Sequence, residues 1–237
     1  MPTKIRAYSK EVGPKGKCYL VVEQYDAEDF SAVLDELIVY YRARGAQRIS
    51  IAAKMKSNLT LSDGMRIGAH TFSYDVSFNV YEKTLIADSG RTLRLKSITE
   101  SNAPLYQAIF NEAFFAVPNS ETLLDLDIKE LLLDGRRDAG FIMLGGEPMG
   151  VFELNYHEEV PEIAAIALLS SFRGAGHGEN ALRSLEKRLY EKGYGRVQLL
   201  VASTNADALK LYEKSGYQIS RHVSDWFLIQ DDSATTR

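Results

Sequence analysis

Between Glu162 and Leu182 the chain reads Glu-Ile-Ala-Ala-Ile-Ala-Leu-Leu-Ser-Ser-Phe-Arg-Gly-Ala-Gly-His-Gly-Glu-Asn-Ala-Leu, and few folds accommodate that order. An apolar run of strand length ends in a glycine-dense turn. Ala181, Leu182, Leu185 and Leu189 then recur at helical spacing. A strand that feeds a glycine turn into a helix builds an anion site, because the first backbone N–H groups of the helix lack internal partners and its dipole favours negative charge there. Glycine lets the backbone itself approach the anion, since no Cβ intervenes. The expected ligand is the pyrophosphate of a nucleotide-like cofactor.

The 237 residues suffice for one large domain or two small ones. A formal net charge of −4 argues against a nucleic-acid binder, which carries a basic patch or stripe. The single cysteine, Cys18, rules out an internal disulfide and reads as a small buried hydrophobe. The start, Met-Pro-Thr-Lys-Ile-Arg, has no apolar signal core, and no run approaches membrane-spanning length, so the expected compartment is the cytoplasm.

In chain order, residues 1–17 read as polar, with a turn at Gly13-Pro14-Lys15-Gly16. A strand is predicted at Cys18–Glu23, a helix from about Asp29 to Arg44 that stops at Gly45, and a strand from Arg48 to Ala52. Phe72, Tyr74, Val76, Phe78 and Val80 alternate as in a half-buried strand. Asp88-Ser-Gly-Arg reads as a linker, which divides the chain into segments 1–88 and 89–237. The second segment predicts a strand at Thr92–Ile98, helices near Ala103–Phe115 and Ser120–Leu133, and a hairpin turning at Gly145-Gly146-Glu147. After the opening stretch come a buried strand at Val197–Val201, a helix at Asn205–Lys214, strands near Tyr217–Ile219 and Asp225–Ile229, and a frayed tail from Asp231.

Three glycine loops compete for the opening stretch. A P-loop requires Lys-Ser/Thr after its last glycine, whereas Gly178 precedes Glu179-Asn180. A Rossmann fingerprint requires an acidic residue after the next strand, which here ends Leu-Val-Ala-Ser. The acyl-coenzyme A loop Arg/Gln-x-x-Gly-x-Gly/Ala fits, with Arg173, Gly176 and Gly178. Together with Glu162-Ile before it, Asn205 after the following strand, and Leu211-Tyr-Glu-Lys-Ser-Gly-Tyr217, this order resembles the GNAT superfamily of N-acetyltransferases over residues 91–229.

The resemblance implies an α/β (α+β) fold: a mixed, mostly antiparallel sheet flanked by helices, preceded by a smaller α/β segment. It implies that the Glu162–Leu169 strand splays from the Val197–Val201 strand and pairs with the pantetheine arm of acetyl-coenzyme A. Leu168, Leu169 and Ser170 are the implied contacts there, and an N–H of this edge could polarise the thioester carbonyl. The amides of Gly174, Ala175, Gly176, His177 and Gly178 are expected on the pyrophosphate, with Arg173 adding charge and Asn205 completing the cofactor side. Asn205, Ala208, Leu209 and Tyr212 share a helical face. By resemblance, Tyr212 protonates the departing thiolate and Glu162 takes the proton of the amine, with Glu153 as a competing base. The implied reaction is direct acetyl transfer from acetyl-coenzyme A to a primary amine of a small molecule or peptide, with no metal. The implied partner is that amine acceptor, with a homodimer as a compatible assembly and neither nucleic acid nor membrane. A non-catalytic acyl-coenzyme A-binding module is the alternative.

The first segment can be laid on the second. Gly45 and Gly193 are 148 positions apart, and the same offset joins Leu34/Leu182, Leu37/Leu185, Arg48/Arg196, Leu61/Leu209, Gly68/Gly216 and Phe78/Trp226. Residues 17–83 then read as a degenerate half-copy. Tyr25-Asp-Ala-Glu-Asp-Phe30 stands at the glycine loop, Ser57 at Asn205 and Gly64 at Tyr212. Acids in place of glycines repel a pyrophosphate and block the backbone approach. An unrelated α/β extension is the other reading.

Overall fold

The computed structural model describes residues 1–87, 90–117 and 120–231. The linker expected at Asp88-Ser89 and the tail beyond Asp231 lie outside the described residues. The elements are β1 (Lys4–Tyr8), α1 (Val12–Lys15), β2 (Lys17–Gln24), α2 (Phe30–Arg42), β3 (Arg48–Ala53), β4 (Met65–Ile67), β5 (His70–Thr84), β6 (Arg94–Ser97), α3 (Ala103–Phe114), α4 (Asp125–Leu133), β7 (Arg137–Leu144), β8 (Glu147–Asn155), β9 (Glu162–Leu168), α5 (His177–Glu191), β10 (Arg196–Ala202), α6 (Ala206–Lys214) and β11 (Gln218–Asp231). Two compact units result: Met1–Phe78 with Val223 onward, and Asn79–His222. Among the described residues no helix is long and apolar enough to cross a membrane.

In the first unit the strand order is β1-β2-β3-β11-β5, with β4 on β5. The apolar stripe of α2, Phe30, Leu34 and Ile38, packs into one cluster with Leu20, Val22, Ile49, Ile51, Phe72, Phe227 and Ile229. Cys18 is fully buried in that cluster, as expected, and burial pushes its thiol up to about 11. Strand β1 had no sequence signal: Lys4, Arg6 and Tyr8 are its exposed face, and its inward residues are only Ile5 and Ala7. It exists because it pairs with β2 over five positions.

In the second unit the order is β5-β10-β9-β8-β7-β6, with β9 and β10 parallel and β6 to β9 antiparallel. Helices cover both faces, so β7 and β8 carry almost continuous apolar runs. Alternation sends Ile142, Phe152 and Leu154 toward Leu182, Leu185 and Leu189 of α5. Phe141, Val151 and Ala165 face Tyr106, Ile109, Phe110, Ile128 and Leu131 of α3 and α4. The hairpin turns on two residues, Gly145 and Gly146, both at positive φ (59° and 98°), the geometry a two-residue turn requires of glycine.

Two expectations need correction. The helix predicted from Ser120 begins only at Asp125. Both backbone groups of Leu123 are clasped by the Asn111 side chain, and Asp127 accepts the Leu124 N–H, so the chain is held extended until the helix starts. The two short strands expected after Gly216 form one strand, β11. Exposed residues such as Arg221 and His222 had broken its apolar pattern.

Candidate active site

The site is built on β9 and β10. Their shared register is one position, Gln198 opposite Glu162, secured by Gln198 N–H donating to Pro161 O (2.9 Å). Beyond it the two strands run on without pairing, so the inner edge of β9 is open. The cause lies on the other side of β9. Glu153 of β8 stands opposite Ala165 and Leu154 opposite Ile163, which leaves Ala164 as an extra residue. A bulge of this kind bends its strand and sharpens the twist.

Of the two leucines expected on the cofactor, Leu169 donates its N–H to Met149 O (2.9 Å), toward β8. Groups of successive residues alternate across a ladder, so those of Leu168 point to the open side. Arg173 Nε donates to Leu168 O from there (2.8 Å). Ser170 begins a short 3-10 turn, after which the chain enters the glycine loop. Gly174 and Gly176 take φ of 78° and 79°, which only glycine adopts without strain, and Gly176 caps α5. Ala175 is exposed, and His177 and Gly178 open the helix. A Cβ on Gly178 would stand 3.4 Å from Leu211 Cδ2, an ordinary van der Waals contact, so α6 packs close beside the start of α5. Lys214 Nζ closes that approach on Glu179 (2.8 Å).

Asn205 is the N-cap of α6, its Oδ1 accepting the Ala208 N–H at 3.3 Å. Tyr212 is the one buried residue of that helix, its ring 5.8 Å from that of Tyr217. Desolvation pushes its phenol up to about 12, so it is a neutral O–H at physiological pH.

The two candidate bases differ in what holds them. Glu153 is buried, and its Oε1 accepts both Nε (3.0 Å) and Nη2 (2.6 Å) of Arg137. Glu162 is partly exposed, and among the described residues no hydrogen bond or ion pair engages its carboxylate. Burial first, then the charge of Glu153, pushes its proton affinity above that of an ordinary glutamate. Arg137 carried no sequence signal, since it lies 16 residues before Glu153 and 25 before Glu162 along the chain. In the loop after β8, His157 Nε2 meets Asp134 Oδ2 at 2.7 Å, and Glu158 and Glu159 are exposed. No group of histidine, cysteine, aspartate and glutamate that could hold a metal occurs among the described residues.

A half-opened strand pair running into a glycine loop at a helix N-terminus is the architecture of an acyltransferase sheet. Residues 98–217 match the model of the Acetyltransferase (GNAT) family, and the chain belongs to that family. The chain is 33% identical over 88 residues to the mycothiol acetyltransferase of Corynebacterium efficiens, covering 36% of this chain and 30% of that protein. It is 33% identical over 81 residues to that of Corynebacterium aurimucosum, covering 32% and 27%. The match therefore spans about a third or less of either chain's length. Two solved structures share the fold. They are a GCN5-related N-acetyltransferase from Sphaerobacter thermophilus (TM-score 0.60, 13% identity, 96% of this chain and 75% of that one) and another from Kribbella flavida (0.54, 15%, 90% and 81%).

Proposed function

We propose that the protein transfers acetyl from acetyl-coenzyme A to a primary amine by direct attack, in the cytoplasm. The observation that carries the proposal is the open edge of β9, where Leu168 faces the gap and the chain runs straight into Gly174–Gly178. The cofactor's amide-rich arm fits an edge with free N–H and C=O groups, and its pyrophosphate fits a glycine loop at a helix start. Leu168, Ser170, Arg173 and the loop amides would hold it, with Asn205 and Tyr212 on the α6 side. Arg173 would exchange Leu168 O for phosphate oxygens. Glu162, unlike Glu153, is held by no ion pair or hydrogen bond among the described residues when it accepts the proton of an ammonium. Tyr212 then donates its proton to the departing thiolate sulfur. Thiol release from acetyl-coenzyme A with a panel of primary amines tests the proposal, the acceptor named by the corynebacterial relatives included. Absence of acetyl-coenzyme A binding by folded protein, measured by titration calorimetry, would overturn it. Binding without turnover on any amine would favour a binding module.

We further propose that residues 17–83 are the degenerate half-copy and residues 89–237 carry the chemistry. Element bounds at the 148-residue offset support this: α2 falls on α5, β3 on β10 and β5 on β11. The counterpart of the open strand pair is shut. Strands β2 and β3 pair over six positions, Lys17–Val22 with Arg48–Ala53. Lys54 N–H to Val22 O and Tyr25 N–H to Ser57 O, both 2.9 Å, extend the closure. The Asp29 carboxylate accepts the Thr3 N–H (3.2 Å), and Asp26 N–H donates to Thr3 Oγ1 (3.0 Å), so residues at the loop position are engaged with the chain start.

A further inference from the structure

The Arg137–Glu153 pair does more than fill the sheet. Arg137 stands opposite Asn155, and Asn155 opposite Glu162. Glu153 precedes Asn155 by two residues, so Arg137, Glu153, Asn155 and Glu162 all emerge on the face that α3 and α4 cover. Glu153 is 5% exposed. A carboxylate that deep costs several kcal/mol to bury unless a cation answers it, and Arg137 does so with two N–H groups on one oxygen. The grip fixes the Glu153 carboxylate one diagonal step from that of Glu162, which no hydrogen bond or ion pair engages among the described residues.

We propose that the Arg137–Glu153 pair is a positioning device for the reaction base: Arg137 fixes the Glu153 carboxylate on the face of the sheet that carries Glu162, so that Glu162 is set to accept the proton of an ammonium. The inference rests on the reading of Glu162 as base. The other charged groups on that side are the Arg137 guanidinium itself, one strand beyond Asn155, and Arg221 of β11, which oppose the effect, and Glu158 after β8, which reinforces it. Glu158 is exposed, and water screens it. Gln198 of β10 is neutral, and Tyr106 of α3 lies nearer Glu153 than Glu162, its hydroxyl on Phe152 O (3.3 Å).

The test is a carbon-13 carboxyl titration of the full chain labelled at glutamate, with the Glu162 signal assigned by its loss in Glu162→Gln. Glu153→Gln removes the charge and keeps a side chain that can accept from Arg137. Its Glu162 midpoint should fall by about half a unit to one unit. Glu153→Asp retains the charge and should leave the midpoint near that of the parent. If Glu153→Gln does not fold, the double variant Arg137→Met with Glu153→Met replaces the pair by apolar side chains and predicts a fall in the same direction, smaller because the Arg137 cation is lost with the anion. An unmoved midpoint in folded protein, with Glu162→Gln inactive, overturns this inference alone. Undiminished acetyl transfer by Glu162→Gln overturns the base reading and the inference with it.

Discussion

Glu162 faces Gln198 at the single register position that β9 shares with β10. The parallel pair of the first unit, β2 and β3, shares six. One strand pair of this chain is open and the other closed, although both are a parallel pair joined by a helix. The open pair carries the bulge at Ala164 and ends in glycines; the closed pair ends in acids that bind the chain start.

Replacing Glu162 by glutamine should cost activity and gain stability. Turnover is expected to fall about 10²–10⁴-fold. The folded Glu162 holds its proton above the ordinary glutamate range. Its contribution to stability is therefore full at low pH, where both folded and unfolded forms are protonated, and is lost as pH rises through the folded midpoint. Glutamine suffers no such loss. The melting temperature of Glu162→Gln should exceed the parent's near neutrality and converge with it at about pH 4.

Tyr212→Phe should retain acetyl-coenzyme A affinity and lose about 10²-fold or more in kcat, since it removes the acid and keeps the ring against Tyr217. Calorimetry and steady-state rates separate the two effects. Full turnover would remove the acid role and leave the rest of the proposal intact.

Gly176→Ala should weaken acetyl-coenzyme A binding by backbone strain alone. Nothing lies within 4 Å of its ideal Cβ, but φ is 79°. The left-handed conformation costs an alanine about 1–2 kcal/mol, so a small fall in melting temperature should accompany weaker binding.

Gly150→Ala should act by collision. An ideal Cβ there would collide with the backbone oxygen of Ala167, in the ladder that positions β9. Separating β8 from β9 should cost about 2–4 kcal/mol, read from the denaturant midpoint.

Asp29→Ala should lower stability by about 0.5–1.5 kcal/mol through the lost Thr3 N–H acceptor, while acetyl-coenzyme A affinity stays unchanged. A large loss of affinity in folded protein would overturn the half-copy reading.

The cofactor side was legible in the sequence because its parts are local. Gly174 and Gly176 need positive φ, and a glycine turn between an apolar run and an amphipathic helix declares itself within twenty residues. Asn205 and Tyr212 follow at helical spacing. Boundaries failed where a side chain from elsewhere decided them: Asn111 postponed α4, and pairing with β2 made a strand of Lys4–Tyr8.

The acid–base side was legible only as a choice. Glu153 and Glu162 look alike along the chain, each a strand carboxylate near the same gap. The structure distinguishes them by Arg137, which is brought opposite Asn155 by the β7–β8 register and reaches Glu153.

By itself, then, the sequence determined the strand–loop–helix unit, the family it belongs to, and the candidate residues proposed to bind phosphate and move protons. Those properties follow from residue type and short spacing, which local sterics and hydrogen bonding fix. Only the tertiary structure decided where strands part, which carboxylate is held by a cation and which is left available. Those outcomes depend on register, a bulge and burial between residues far apart in the chain, and no local preference encodes them.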